Sequence, residues 1–304
     1  MNLLFFTLLP FLFLFINTVT ISPSAASACC ASSTAAPSLM TEDSKAQTTL
    51  SSSYSDTIGH SSDDGSSVFY NEERSDTVLR FRLSQTIALD DRWQISASTD
   101  LLRTEKKLSG ARESTWAWGD TSLGASYEIL PEYTYYPIRP RVFLSSATFL
   151  PTGRAADARS DRLGTNVSSN GAWGFAVSGH ALKTWSRWDT SLTSQHVRYL
   201  SQTRTVGRNQ VRFNPGALTT VDLAGGFHSA VFGLPSRFGL SVGPEWQASA
   251  APRLVWNVGG SVSVTPHQDW AASLNYNDQT LLGPTYNATL SRQATLRLTK
   301  RLGG

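Results

Sequence analysis

The side chains able to do acid–base or nucleophilic chemistry are few. Five histidines, His60, His180, His196, His228 and His267, occur in 304 residues. His60 precedes Ser61, Ser62, Asp63 and Asp64, and Ser194-Gln195 precedes His196. A hydrolase needs a nucleophile or an activated water with a base in reach. Both stretches carry those residue types, and both have the composition of an ordinary solvated loop. The chain has no His-Glu-x-x-His pair and no Cys-x-x-Cys spacing, the patterns that would announce a metal centre. No catalytic residue, cofactor or metal is therefore expected.

The charged residues say more through their parity. Arg80, Arg82, Asp100, Asp120, Glu128, Asp222, His228, Glu245, Arg297 and Arg301 fall on the polar side of alternating stretches. Charges gathered on the inside of a narrow barrel set solute selectivity. The same charges, paired with each other, fill a small barrel instead. The sequence leaves both readings open.

Positioning those residues requires strands. Thr121, Leu123, Ala125, Tyr127 and Ile129 alternate with Asp120, Ser122, Gly124, Ser126 and Glu128. A period of two is a strand with one apolar and one polar face. Residues 139–150 form a second extended run, its alternation blurred by Phe143, Ala147 and Phe149. The pattern recurs along the chain. It predicts strands over 47–57, 75–89, 93–101, 115–130, 139–150, 172–183, 188–197, 217–227, 237–247, 253–265, 269–277 and 288–302. The polar stretches 59–74, 104–114, 151–170 and 198–215 read as long loops, and the links between them are shorter. Trp93, Trp173, Trp188, Trp246 and Trp270 fall near strand ends, where an indole with one wet edge suits the lipid headgroup layer.

Charged residues make up 16% of the chain, against about 25% in soluble proteins. No internal run approaches the roughly 20 apolar residues of a membrane-spanning helix. Hairpins with one apolar face, joined by alternately long and short links, fit a barrel in lipid. The expected fold is all-β: a single antiparallel transmembrane β-barrel of about twelve strands, within a range of ten to fourteen.

The N-terminus reads as an export signal. Leu3 to Ile16 is apolar except for Thr7 and Pro10, and Ala26-Ser27-Ala28 fits a cleavage site. Residues 1–28 are thus assigned to a signal peptide, 29–46 to a flexible lead-in and 47–304 to the barrel. Cys29 and Cys30 are the two cysteines. As neighbours they make a poor disulfide, and Cys29 is a candidate for lipidation. The net charge of +3 comes from scattered basic residues, so no nucleic-acid partner is expected.

Trp118-Gly119-Asp120 opens one strand, and Pro151-Thr152-Gly153 closes the next. This pairing resembles bacterial outer-membrane barrels assigned to the MetA pathway of phenol degradation, also called transporters. Cys29-Cys30 before a Ser/Ala stretch resembles a subset of them. The resemblance implies a barrel in the bacterial outer membrane whose partners are lipid and a small-molecule solute, hydrophobic and aromatic compounds included. It brings no catalytic residues. The alternatives are a non-conducting structural or surface-interaction barrel and, third, a barrel hydrolase using His60 or His196. The oligomeric state stays open.

Overall fold

The computed structural model describes residues 38–40, 44–71, 73–131, 138–155, 163–206, 209–213, 216–248 and 252–303. The expected signal segment and Cys29 lie outside the described residues. Among the described residues there are sixteen strands and no helix. They are β1 (Ala46–Ser61), β2 (Ser67–Phe69), β3 (Arg74–Ala88), β4 (Trp93–Leu108), β5 (Ala111–Trp118), β6 (Thr121–Leu130), β7 (Arg141–Leu150) and β8 (Gly174–Thr184). Then follow β9 (Trp188–Tyr199), β10 (Gln202–Val206), β11 (Asn209–Phe213), β12 (Ala217–Val231), β13 (Leu234–Ala248), β14 (Arg253–His267), β15 (Trp270–Asp278) and β16 (Thr289–Leu302).

β5 and β6 are one stave with a break at Gly119-Asp120. β6 pairs with Trp93–Ser98 of β4, and β5 pairs with Leu101–Leu108 of the same strand. Counted so, twelve antiparallel staves follow each other around a ring. The ring closes where β16 pairs with β1, from Ala46↔Leu302 to His60↔Thr289. β2 lies outside the ring on the end of β1, and β10–β11 form a separate hairpin.

Burial is inverted relative to a soluble protein. Leu50, Leu83, Ile95, Leu123, Leu192, Leu223, Leu240, Leu274 and Leu296 are exposed. Gln47, Thr49, Ser84, Gln94, Ser126, Ser145, Ser178, Thr193 and Gln195 are buried. An apolar outer wall round a polar interior is the pattern of a barrel bathed in lipid. Exposed tryptophans collect at both rims. Trp93, Trp185, Trp188 and Trp270 lie at the end with short turns, and Trp116, Trp118, Trp173 and Trp246 at the other.

The short turns are built by local chemistry. Asp90 Oδ1 accepts from the N–H groups of Arg92 and Trp93 at 2.8 and 2.6 Å, which holds its carboxyl below the usual range. Phe232 and Gly233 both have positive φ, 53° and 78°, as a two-residue hairpin turn requires.

Three predicted loops are corrected. Residues 104–114 are not a loop: β4 and β5 run through them and turn at Ser109 (φ 48°) and Gly110 (φ 84°). Beyond the lipid both strand faces meet water, so alternation of hydrophobicity stops although pairing continues. Cross-strand ion pairs between Arg112 and Glu105 and between Lys106 and Asp76 replace it. Within 198–215 the β10–β11 hairpin forms. Within 59–74 β1 continues to Ser61 and takes β2 as a partner. Leu290, of lipid-facing parity in the sequence, is instead buried with Val255 and Ala288 against Ile58, beside an irregularity between Thr57 and Gly59.

Leu240 is 75% exposed at the middle of β13. Arg on the lipid face near the bilayer midplane costs about 2–4 kcal/mol, whereas a Leu-to-Met swap costs less than about 1.5 kcal/mol. Urea unfolding in lipid vesicles is expected to separate Leu240→Arg from Leu240→Met by that difference. Equal stabilities would contradict a lipid-facing β13.

Candidate functional site

β1 carries small side chains on its inner face, Thr49, Ser51 and Ser53. Ser51 is the register partner of both Arg82 on β3 and Arg297 on β16, and Ser53 is the partner of Arg80. The arginines of two non-adjacent strands therefore stand on one wall, with the short serines leaving room between them. Arg82 reaches sideways to Asp100 on β4 in a two-pronged pair, Nε–Oδ1 2.6 Å and Nη2–Oδ2 2.8 Å. Among the described residues, Arg80 and Arg297 make no hydrogen bond or ion pair. Arg301 donates to the Gln268 carbonyl at 3.2 Å, near the short-turn rim.

The long-loop half of the interior holds a recess of about 460 Å³. Arg80, Arg82 and Asp100 line it from β3 and β4, Asp120 and Phe149 from the neighbouring β5–β6 and β7 staves, and Tyr199 from β9. Phe149 is anchored in a buried apolar cluster with Ala147, Ala176 and Val197, against which Tyr199 and Leu218 pack. The break between β5 and β6 shapes this recess. Thr152 Oγ1 donates to the Gly119 carbonyl at 3.0 Å and accepts from Thr121 N–H at 2.9 Å, while Gly153 N–H donates to Asp120 Oδ1 at 3.1 Å. A side chain at Gly119 would meet Leu102 and Asp100. Trp118-Gly119-Asp120 and Pro151-Thr152-Gly153 thus form one latch across neighbouring staves.

The short-turn half is knitted by tighter pairs. Arg237 on β13 grips Asp189 on β9 through Nε–Oδ2 2.6 Å and Nη2–Oδ1 2.7 Å, and His228 Nε2 lies 2.6 Å from the same carboxylate. The guanidinium passes over Gly226 and Gly239, where any side chain would collide with it. Arg141 holds Glu128 at 2.7 and 2.9 Å. Glu245 pairs with Arg253 at 2.8 Å nearer the long-loop end. Asp222 is buried. Arg297 and Arg301 line a smaller recess of about 30 Å³ with Arg237 and Gln47.

Part of the expected flexible lead-in is docked here. Met40 N–H donates to Gln94 Oε1 at 2.9 Å, and Gln94 Nε2 donates back to the Met40 carbonyl at 2.8 Å. Thr86 Oγ1 donates to the Ser38 carbonyl at 3.1 Å. Met40 is only 2% exposed. The segment is a strap on the inner wall near the short-turn rim.

The hydrolase candidates are not assembled. His60 sits at the end of β1 beside Tyr70. His196 faces outward and contacts Thr219 Oγ1 at 2.9 Å. Gly239 to Gly243 has the spacing of a nucleophile elbow, but β13 runs straight through it, without the strand-to-helix turn that motif needs.

No family model matches the sequence, and no curated protein does. Among solved structures, an outer membrane channel from Pseudomonas putida F1 superposes with a TM-score of 0.65 at 15% identity, over 87% of this chain and 97% of that one. The chain has the fold of a bacterial outer-membrane β-barrel. The β domain of the Bordetella autotransporter BrkA gives 0.55 at 10% identity, over 86% and 100% of the two chains. The NanC porin gives 0.50 at 8% identity, over 84% and 100%. At these identities the likeness is one of fold.

Several barrel residues escaped the sequence. Asp189 and Arg237 have inward parity, Asp189 beside outward Trp188 and Arg237 four residues before Ser241. Following parity to both strand ends would have found them. Phe143, 0% exposed, and Phe149 point inward, which is why β7 shows blurred alternation. Removing one member of a buried ion pair typically costs about 3–5 kcal/mol, and an exposed pair less than about 1 kcal/mol. In vesicle unfolding, Asp189→Ala is expected to fall in the first range and Glu105→Gln in the second. Similar small effects would mean that Arg237 is hydrated without Asp189.

Proposed function

We propose that the barrel passes small solutes across the outer membrane, with the polar interior as the path and the inner charges as its filter. The observation that carries this reading is the recess in the long-loop half. Arginines and carboxylates there share one lining with Phe149 and Tyr199. A structural plug has no need of such a mixed space, whereas a path for hydrophobic or aromatic solutes carrying a polar group does. The fold shared with a protein described as an outer membrane channel supports the reading, as does the latch that resembles barrels of phenol degradation. On this proposal Arg80, Arg82, Asp100, Asp120, Glu128, Asp222, His228, Glu245, Arg297 and Arg301 are the selectivity set.

A second reading, a non-conducting barrel, is favoured by one observation: the Ser38–Met40 strap against Thr86 and Gln94. One experiment separates the two. Refolded protein in a planar bilayer is expected to give discrete current steps. Arg82→Ala and Arg297→Ala should shift selectivity toward cations, because each removes an inner positive charge. Thr86→Ala with Gln94→Ala, which frees the strap, should enlarge the steps. A silent bilayer from protein with the heat-modifiable migration of a folded barrel, in all these variants, would contradict the channel and favour the structural barrel.

A further inference from the structure

We propose that the recess in the long-loop half is a binding site for small aromatic carboxylates, with Arg80 reading the carboxylate. The inference rests on the interior being open to solute and adds the class of solute.

Of the three cations lining the recess, Arg82 and Lys106 have a carboxylate partner, whereas Arg80 feels Asp100 only from beyond ion-pair distance. Arg82 is occupied by Asp100, and Lys106 lies 3.7 Å from Asp76. Asp120 already accepts the Gly153 N–H. Arg80 lines the same space and, among the described residues, makes no hydrogen bond or ion pair. A guanidinium presents five N–H donors in a planar fork that matches a carboxylate. Lys would offer only a compact point charge. A half-buried guanidinium lacking a protein acceptor is a donor set waiting for an anion, since withdrawing a charge from water without a partner is unfavourable.

The aromatic part of the lining specifies the rest of the molecule. Phe149 and Tyr199 lie with ring centroids 6.3 Å apart at an angle of 38°. A side chain at Gly174 would strike both rings, so glycine there keeps them in place. Phe149 is held in place by a buried cluster with Ala147, Ala176 and Val197. Tyr199 is near enough to both Arg80 and Asp120 for its hydroxyl to feel each charge. The rings and the guanidinium therefore border one space. Its volume of about 460 Å³ falls within the roughly 300–1,000 Å³ of small-molecule sites. Asp100 and Asp120 in the same lining disfavour a dianion such as phosphate. A ring with one carboxylate, its head on Arg80 and its face on Phe149 and Tyr199, satisfies both parts of the lining.

The test is calorimetric titration of the folded full chain in detergent micelles with benzoate, acetate and benzyl alcohol. Benzoate is expected to bind saturably and at least tenfold more tightly than either acetate, which lacks the ring, or benzyl alcohol, which lacks the charge. Arg80→Ala should weaken benzoate tenfold or more, Arg80→Lys should restore part of the loss, and Arg112→Ala, at an exposed position outside the recess, should leave it unchanged. Heat-modifiable migration confirms that each variant is folded. Absence of saturable benzoate binding overturns the proposal. So does benzoate affinity unchanged in folded Arg80→Ala, or benzyl alcohol binding as tightly as benzoate. The outcome is independent of conduction. Current steps without benzoate binding leave the channel standing and remove the carboxylate site; benzoate binding in a silent barrel does the reverse.

Discussion

The β1–β16 ladder is the contact on which everything else depends. In lipid an unpaired backbone N–H or C=O has no water to turn to, and each costs several kcal/mol. An open twelve-stave sheet would leave two such edges. The pairing of Ala46 with Leu302 through His60 with Thr289 removes both. It also places β1, with its small serines, between the arginines of β3 and β16. Closure and the charged wall are therefore one geometric fact, because Ser51 is the register partner of Arg82 and of Arg297.

Once the ring is closed, the two-residue period decides which side chains meet solute and which meet lipid, and a slip of one residue would exchange the faces. That period made most of the fold readable. The stave count and the outward tryptophans both follow from alternation in a single chain. β1 is rich in serine and threonine, so its alternation of hydrophobicity is faint. In the structure its small inner side chains are what leave space for long ones on either side.

What alternation conveys poorly is whatever departs from lipid or from polarity. The β4–β5 extension, where water bathes both faces, lost its signal and read as a loop. Phe143 and Phe149 are apolar yet face inward, so they blurred the stave that carries them. Partners on different strands were hidden for another reason. Asp189 and Arg237 lie 48 residues apart in the chain, and only the pairing of β9 and β13 with the two edges of β12 brings them together. The docking of Ser38 to Met40 also has no periodic trace. The Gly-Asp and Pro-Thr-Gly motifs were visible as motifs, but their work as a latch beside the recess needed the register of β6 on β7.

The most direct test is cysteine accessibility along β16, in a chain whose Cys29 and Cys30 are replaced by serine. Single cysteines are placed in turn from Ala294 to Thr299 in vesicle-embedded protein, with a charged, water-borne thiol reagent on one side and a lipid-borne quencher on the other. A closed barrel with a solute-accessible interior predicts strict alternation. Positions 295, 297 and 299 react with the aqueous reagent, and 294, 296 and 298 respond to the quencher. Inner positions that stay unreactive in the folded protein, or reactivity without a two-residue period, would contradict it.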